Sequence, residues 1–148
     1  MTELQTNKKV VKNKLVLLGD VFVGKTALGH RFSCDEFKEN TQSTLGAQFV
    51  THSIEMDKHI MQFDIWDTAG QERFKSLGAL YYKNSKGALV VFDITAQKTF
   101  TKAKEWIDEL MENADPDILI TLVGNKIDLE QDRKVQKSEV EEYCRTAG

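Results

Sequence analysis

Three short clusters in this chain have the residue types and spacing needed to handle phosphates and a purine base. The first is Gly19-Asp20-Val21-Phe22-Val23-Gly24-Lys25-Thr26, a match to G-x-x-x-x-G-K-[ST] that follows a short apolar run and precedes a helical pattern. Its glycines let the backbone curl so that successive N–H groups point inward at phosphate oxygens. A helix opening at Lys25-Thr26-Ala27 adds its partial positive charge. Lys25 is then a mobile point charge for β- and γ-phosphates, and the Thr26 hydroxyl is a magnesium ligand.

The second cluster is Asp67-Thr68-Ala69-Gly70-Gln71, after an apolar segment ending at Trp66. Asp67 alone reads equally well as a helix cap. Beside a phosphate loop, a carboxylate at a strand's carboxyl end holds magnesium. Gly70 offers a backbone N–H that approaches a γ-phosphate with no Cβ in the way. Gln71 carries a donor and an acceptor, the equipment for orienting a nucleophilic water. Gln71, Lys25 and Gly70 are therefore the candidate catalytic groups.

The third cluster is Asn125-Lys126-Ile127-Asp128. A carboxylate there accepts two hydrogen bonds, from guanine N1–H and the 2-amino group. Adenine has neither donor, so the same group rejects it. The alkyl stem of Lys126 can lie on the base, and Asn125 can tie this loop to the phosphate loop. Alone the four residues pass for a polar turn; after two phosphate clusters they specify guanine.

Positioning these clusters requires strands that end at them. Lys14–Gly19 is a buried strand, followed by a helix from Lys25 to Ser33 and a polar loop over 34–46, a length usually kept for function. Gln48–Met56 and Ile60–Trp66 alternate as a hairpin through Asp57-Lys58-His59. A second polar, Gly-containing segment over 67–77 is expected to run into an irregular helix, followed by a buried strand over 88–92 and an amphipathic helix over 99–111. A buried run follows at 118–123, and a last helix is capped by Ser138 and ends near Gly148. Strands alternating with helices predict an α/β, three-layer, mostly parallel sheet with one antiparallel strand. Its apolar last strand, 118–123, would lie at an edge, as if a further strand and helix were missing.

Composition sets the frame. The chain has 148 residues and a 41% hydrophobic content, enough for one domain with a packed core. Lys+Arg 20 against Asp+Glu 23 leaves a net charge of −3, so the bulk charge carries no nucleic-acid footprint. Cys34 and Cys144 have no partner spacing and read as free thiols of a reducing compartment. The polar start, MTELQTNKK, lacks a signal-peptide core, and the apolar runs are too short to span a bilayer. A soluble intracellular domain is expected, with residues 1–13 a flexible arm.

With GDVFVGKT at 19–26, a lone Thr44 in the first loop, WDTAGQE at 66–72 and NKID at 125–128, the sequence resembles the Ras-superfamily small GTPases over nearly its whole length. LGAQF at 45–49, ERFKSLGALYY at 72–82 and LVVFDIT at 89–95 resemble the Rab family, and within it the endocytic branch. The resemblance implies the P-loop small G-protein fold, magnesium-dependent GTP binding and slow hydrolysis to GDP. It implies a switch in vesicle traffic on the cytosolic face of endomembranes, endosomes among them. It implies that Thr44 is a second hydroxyl on magnesium, ordered only with the γ-phosphate, and that Phe37 packs on the guanine from the side. Phe49, Trp66 and Tyr81 would be an exposed trio read by effectors, exchange factors and GTPase-activating proteins; periodicity alone reads them equally as core.

Three features depart from the family pattern. Val21 and Phe22 replace small residues, and Phe22 either crowds the nucleotide or points outward. No Ser-Ala-Lys base-contact loop is present. No prenylation signal is present, Cys144 standing one position too early, so membrane attachment would need a tail absent here. The GTP-binding domain, 14–148, is therefore expected to be incomplete at its C-terminus. A pseudo-GTPase scaffold remains the rival reading, while a phosphate-loop kinase or ATPase is disfavoured by Asp128.

Overall fold

A computed structural model describes residues 8–39, 42–70 and 77–148. In chain order the elements are β1 (Lys9–Gly19), α1 (Lys25–Cys34), β2 (Ala47–Glu55), β3 (His59–Thr68) and α2 (Gly78–Tyr82). There follow β4 (Gly87–Asp93), α3 (Gln97–Asn113), β5 (Leu119–Asn125), a 3-10 segment (Ile127–Asp132) and α4 (Lys137–Ala147). The strands form one sheet in the order β2-β3-β1-β4-β5. Only the β2–β3 hairpin is antiparallel; β1 pairs in parallel with β3 and β4, and β4 with β5.

Successive strand side chains point to opposite faces, and this parity makes the layers. Val16 and Leu18 of β1 and Ala88, Val90 and Phe92 of β4 meet Phe100, Ala103, Ile107 and Leu110 of α3 in the main core. Those α3 positions recur every three or four residues, which keeps them on one stripe of the helix. Phe92 and Phe100 meet in a tilted contact with ring centroids 5.0 Å apart, and burying each such ring is worth roughly 1.5–3 kcal/mol. The intervening residues Leu15, Leu17 and Leu89 face the opposite side, where Leu28, Gly29 and Phe32 of α1 lie over them. The result is the expected α/β architecture: a mostly parallel sheet with one antiparallel strand and helices on both faces.

Several boundaries differ from the sequence expectation. β1 starts at Lys9, so residues 9–13, assigned to a flexible arm, are strand. Their ladder with β3, Lys9 opposite His59 through Asn13 opposite Phe63, outweighs their weak apolar pattern. Asp67 and Thr68 extend β3 past the expected end at Trp66, paired with Gln48 and Ala47. The rest of the polar segment, and the irregular helix expected from it, fall mainly on 71–76, outside the described residues. β5 is the edge strand, but it is not buried on both faces: Leu119 is 75% exposed and Thr121 is open to solvent. Ser138 caps nothing. The cap of α4 lies two residues earlier, at Gln136, whose carbonyl accepts the N–H groups of Glu139 and Val140.

Candidate functional site

Because β1, β3, β4 and β5 run parallel, their carboxyl ends share one edge of the sheet. The chain builds to one side of β1 through β2 and β3, then to the other through β4 and β5. Open α/β sheets bind ligands where the strand order reverses in this way, and the phosphate-loop cluster starts at that point, on Gly19.

The loop is tightly specified. Asp20 Oδ1 accepts the Val21 N–H at 2.8 Å, and Val23 is fully buried as the loop's anchor. Gly24 caps α1 with φ +100°, and a Cβ there would stand 2.3 Å from Asn125 Nδ2. Phe22 takes a left-handed φ of 62° with two-thirds of its surface exposed, 66%. The exposed residue also lines the crevice beside the loop, with Val21 and Gly24. Val21, Gly24, Lys25, Thr26 and Ala27 line a crevice that Ser43 and Thr44 face from across the loop after α1.

Lys25 lies in the first turn of α1 and is 6% exposed. Its Nζ donates to the carbonyls of Gly19 at 3.0 Å and Asp20 at 2.7 Å. Burial pushes its pKa down to about 8, against the pull of Asp67 and Asp20. An ammonium held this way is short of negative charge, the deficit that a phosphate would fill.

Asp67 stands opposite Leu17 in the β1–β3 ladder, next to the loop. Thr26 Oγ1 donates to Asp67 Oδ2 at 2.5 Å and lies 2.8 Å from Thr44 Oγ1. Asp67 Oδ1 is buried and receives no hydrogen bond among the described residues. Burial therefore raises the Asp67 pKa, with Thr26 and Lys25 working against it. One orphaned carboxylate oxygen beside two hydroxyls is a hard-oxygen donor set. It fits a magnesium ion that takes its other ligands from water and phosphate. The three residues chosen for metal, Thr26, Thr44 and Asp67, thus meet in space. Thr68 hydrogen-bonds the Leu17 carbonyl at 2.6 Å, fixing the strand end that presents Asp67.

Gly70 presses on the phosphate loop: an added Cβ would come within 2.3 Å of Val21 N. Only glycine permits that approach. Gln71 lies outside the described residues. Phe37 is 66% exposed on the segment after α1.

At the far side, Asn125 ends β5 and its Nδ2 donates to the Val23 carbonyl at 2.9 Å. The expected tie between the two loops is present. Lys126 follows in a left-handed conformation, φ 68°, and its Nζ pairs with Asp93 Oδ2 at 2.7 Å. Asp128 is exposed at the start of the 3-10 segment. Asp93 had no assigned part in the sequence reading. The only local signal for it is an Asp two residues before a Thr at a strand end, the pattern of an Asx turn.

Away from this crevice, Phe49, Trp66 and Tyr81 form a surface chain of rings, with centroids 5.5 Å and 6.5 Å apart. Phe49 is 54% exposed and the other two are half-buried. Lys14 Nζ sits 4.7 Å from the Trp66 ring centroid and donates to the Lys83 carbonyl at 2.8 Å, backing the trio from beneath. A model of the Ras family matches residues 14–148, a span that contains the phosphate loop, the Asp67 cluster and the Asn125–Asp128 loop.

Proposed function

The chain belongs to the Ras family of small GTPases, and we propose that it is a magnesium-dependent GTP switch of the Rab type, with residues 14–148 as its nucleotide-binding domain. Members of this family bind GTP or GDP with magnesium and are read by regulators and effectors. The observation that carries the reading is the Asn125–Val23 hydrogen bond, which fastens a guanine-selective loop to a phosphate-binding one.

In this reading Gly19, Asp20, Val21, Phe22, Val23, Gly24 and Ala27 contribute the backbone cradle, and Lys25 the charge that binds the β- and γ-phosphates. Thr26, Thr44 and Asp67 hold magnesium, which when bound supplies divalent charge to those phosphate oxygens. Asp128 accepts the guanine N1–H and 2-amino hydrogens, and Phe37 flanks the base. Gln71 orients the attacking water, and Gly70 offers its N–H to the γ-phosphate. Thr44 responds to the γ-phosphate and so couples nucleotide state to the loop after α1.

The Rab assignment rests on LGAQF, ERFKSLGALYY and LVVFDIT and on the geometry of the Phe49–Trp66–Tyr81 surface, which we assign to effectors, exchange factors and GTPase-activating proteins. The corresponding cellular role is vesicle traffic at the cytosolic face of endomembranes. The test is displacement of a fluorescent GDP analogue in magnesium, followed by phosphate release at saturating GTP. GTP should displace the analogue and ATP should not. Equal displacement by ATP would refute guanine selectivity, and binding without any phosphate release would leave a switch that does not hydrolyse.

A further inference from the structure

We propose that Asp93 is a positioning residue for base recognition: through Lys126 it holds the Asn125–Asp128 loop in its reading conformation. The inference rests on the guanine-nucleotide reading above and deepens it.

Asp93 ends β4, directly opposite Asn125 in the β4–β5 ladder, and only 7% of it is exposed. Both carboxylate oxygens are engaged. Oδ1 accepts the N–H of Thr95 at 2.8 Å and its hydroxyl at 2.6 Å. Oδ2 faces Lys126 Nζ at 2.7 Å. The Asp93 N–H donates to Thr99 Oγ1 at 2.9 Å, so α3 locks the backbone of the corner. Burial alone would raise the Asp93 pKa, yet the Lys126 and Thr95 hydrogen bonds overcome it and hold the carboxyl below its usual range. The group is an anion throughout neutral pH.

The neighbouring residue completes a clamp. Ile94 N–H donates to the Asn125 carbonyl at 3.2 Å, and the Ile94 carbonyl accepts the N–H groups of Lys134 at 2.8 Å and Val135 at 3.0 Å. Val135 is fully buried. The segment from Asn125 to Val135 is thus stapled at both ends to residues 93–94. Asn125 is held by its bond to the Val23 carbonyl, and the next side-chain anchor in the reading portion is the Lys126 ammonium on Asp93. Lys126 needs that anchor, because a left-handed backbone is unfavourable for a side chain with a Cβ and persists only where its surroundings impose it. The same turn sends Asn125 toward Val23 and brings Asp128 to the start of the 3-10 segment. Releasing Lys126 would let Asp128 drift from the base without touching the phosphate contacts.

The test compares the 148-residue chain with Asp93→Asn, Lys126→Met and the double variant, by dissociation of fluorescent GDP in excess magnesium and by the GDP-to-IDP affinity ratio. IDP lacks the 2-amino group, so the ratio reports the second hydrogen bond to Asp128. Loss of a charge-assisted bond predicts about tenfold faster dissociation for Asp93→Asn, a smaller GDP-to-IDP ratio, and a double variant no worse than Lys126→Met. A merely structural Asp93 would leave the ratio unmoved and make the two changes additive, and either result overturns the proposal. Amide exchange of residues 127–132 in nucleotide-free Lys126→Met supplies an arm independent of Asp93→Asn folding. It should accelerate, and unchanged exchange overturns the proposal. A wild-type chain that retains no fluorescent GDP refutes the guanine reading instead, and the exchange arm then decides the pinning.

Discussion

Gly24 and Asn125 should behave as one energetic unit. Replacing Gly24 by alanine puts a Cβ on a residue at φ +100°, 2.3 Å from Asn125 Nδ2. The backbone strain costs about 1.5 kcal/mol. The clash also expels the Asn125 amide, breaking its bond to the Val23 carbonyl, for roughly another 1.5 kcal/mol. Gly24→Ala should therefore lose ~3 kcal/mol and Asn125→Ala ~1.5 kcal/mol. The double variant should lose only ~3 kcal/mol, because the bond is already gone in the first; independent sites would lose ~4.5. The assay is urea unfolding of the nucleotide-free chain, followed by the fluorescence of Trp66 and Trp106, so that ligand linkage does not enter. A coupling near 1.5 kcal/mol corresponds to a melting difference of about 5 °C at this chain length. Additive losses would show that a Cβ at residue 24 does not displace the Asn125 amide in solution, and would overturn this reasoning.

Asp128→Asn should shift base preference from guanine toward xanthine, because an amide donor then faces a 2-oxo acceptor; unchanged GTP-over-XTP selectivity removes Asp128 from base reading. Gln71→Leu should slow single-turnover hydrolysis while leaving GTP affinity near wild type, and an unaltered rate excludes Gln71 from the mechanism. The Lys25 pKa, about 8 in the fold against about 10.4 unfolded, makes the unfolded chain the greater proton binder between those values. The stability of the nucleotide-free chain should accordingly rise from pH 8 to pH 10 through this group. A parallel titration of Lys25→Met should lack that component, and identical pH profiles would contradict the buried ammonium.

What the sequence made legible is what local chemistry dictates. A phosphate loop needs its glycines and lysine at set intervals, so 19–26 announces itself, and the 100–110 stripe follows from helical spacing alone. The first half of β1 did not, because Lys9–Asn13 carries too little apolar pattern and owes its extension to pairing with His59–Phe63. The exposure of β5 was hidden for a similar reason: an apolar run does not reveal which of its faces a neighbour covers. Phe22 gives no hint in its residue type of a left-handed backbone. Asp93 and Lys126 are far apart in the chain, and only the parallel pairing of β4 with β5 brings them together. The proposed metal donors Thr26, Thr44 and Asp67 stand out as residue types, whereas the orphaned Asp67 oxygen exists only once β3 lies beside β1.

The Asn125–Val23 bond spans 102 residues, and that distance has a meaning in time. During synthesis, at about 5–20 residues per second, the phosphate loop leaves the ribosome roughly 5–20 s before the segment that reads the base. In the sheet, β5 pairs with β4 and lies beyond it from β1. A nascent chain therefore passes through a stage in which it has the means to grip phosphate and none to tell guanine from adenine. Selectivity arrives with β5 and the loop that follows it, so a chain arrested before Asn125 would be indifferent to the base of any nucleotide it met.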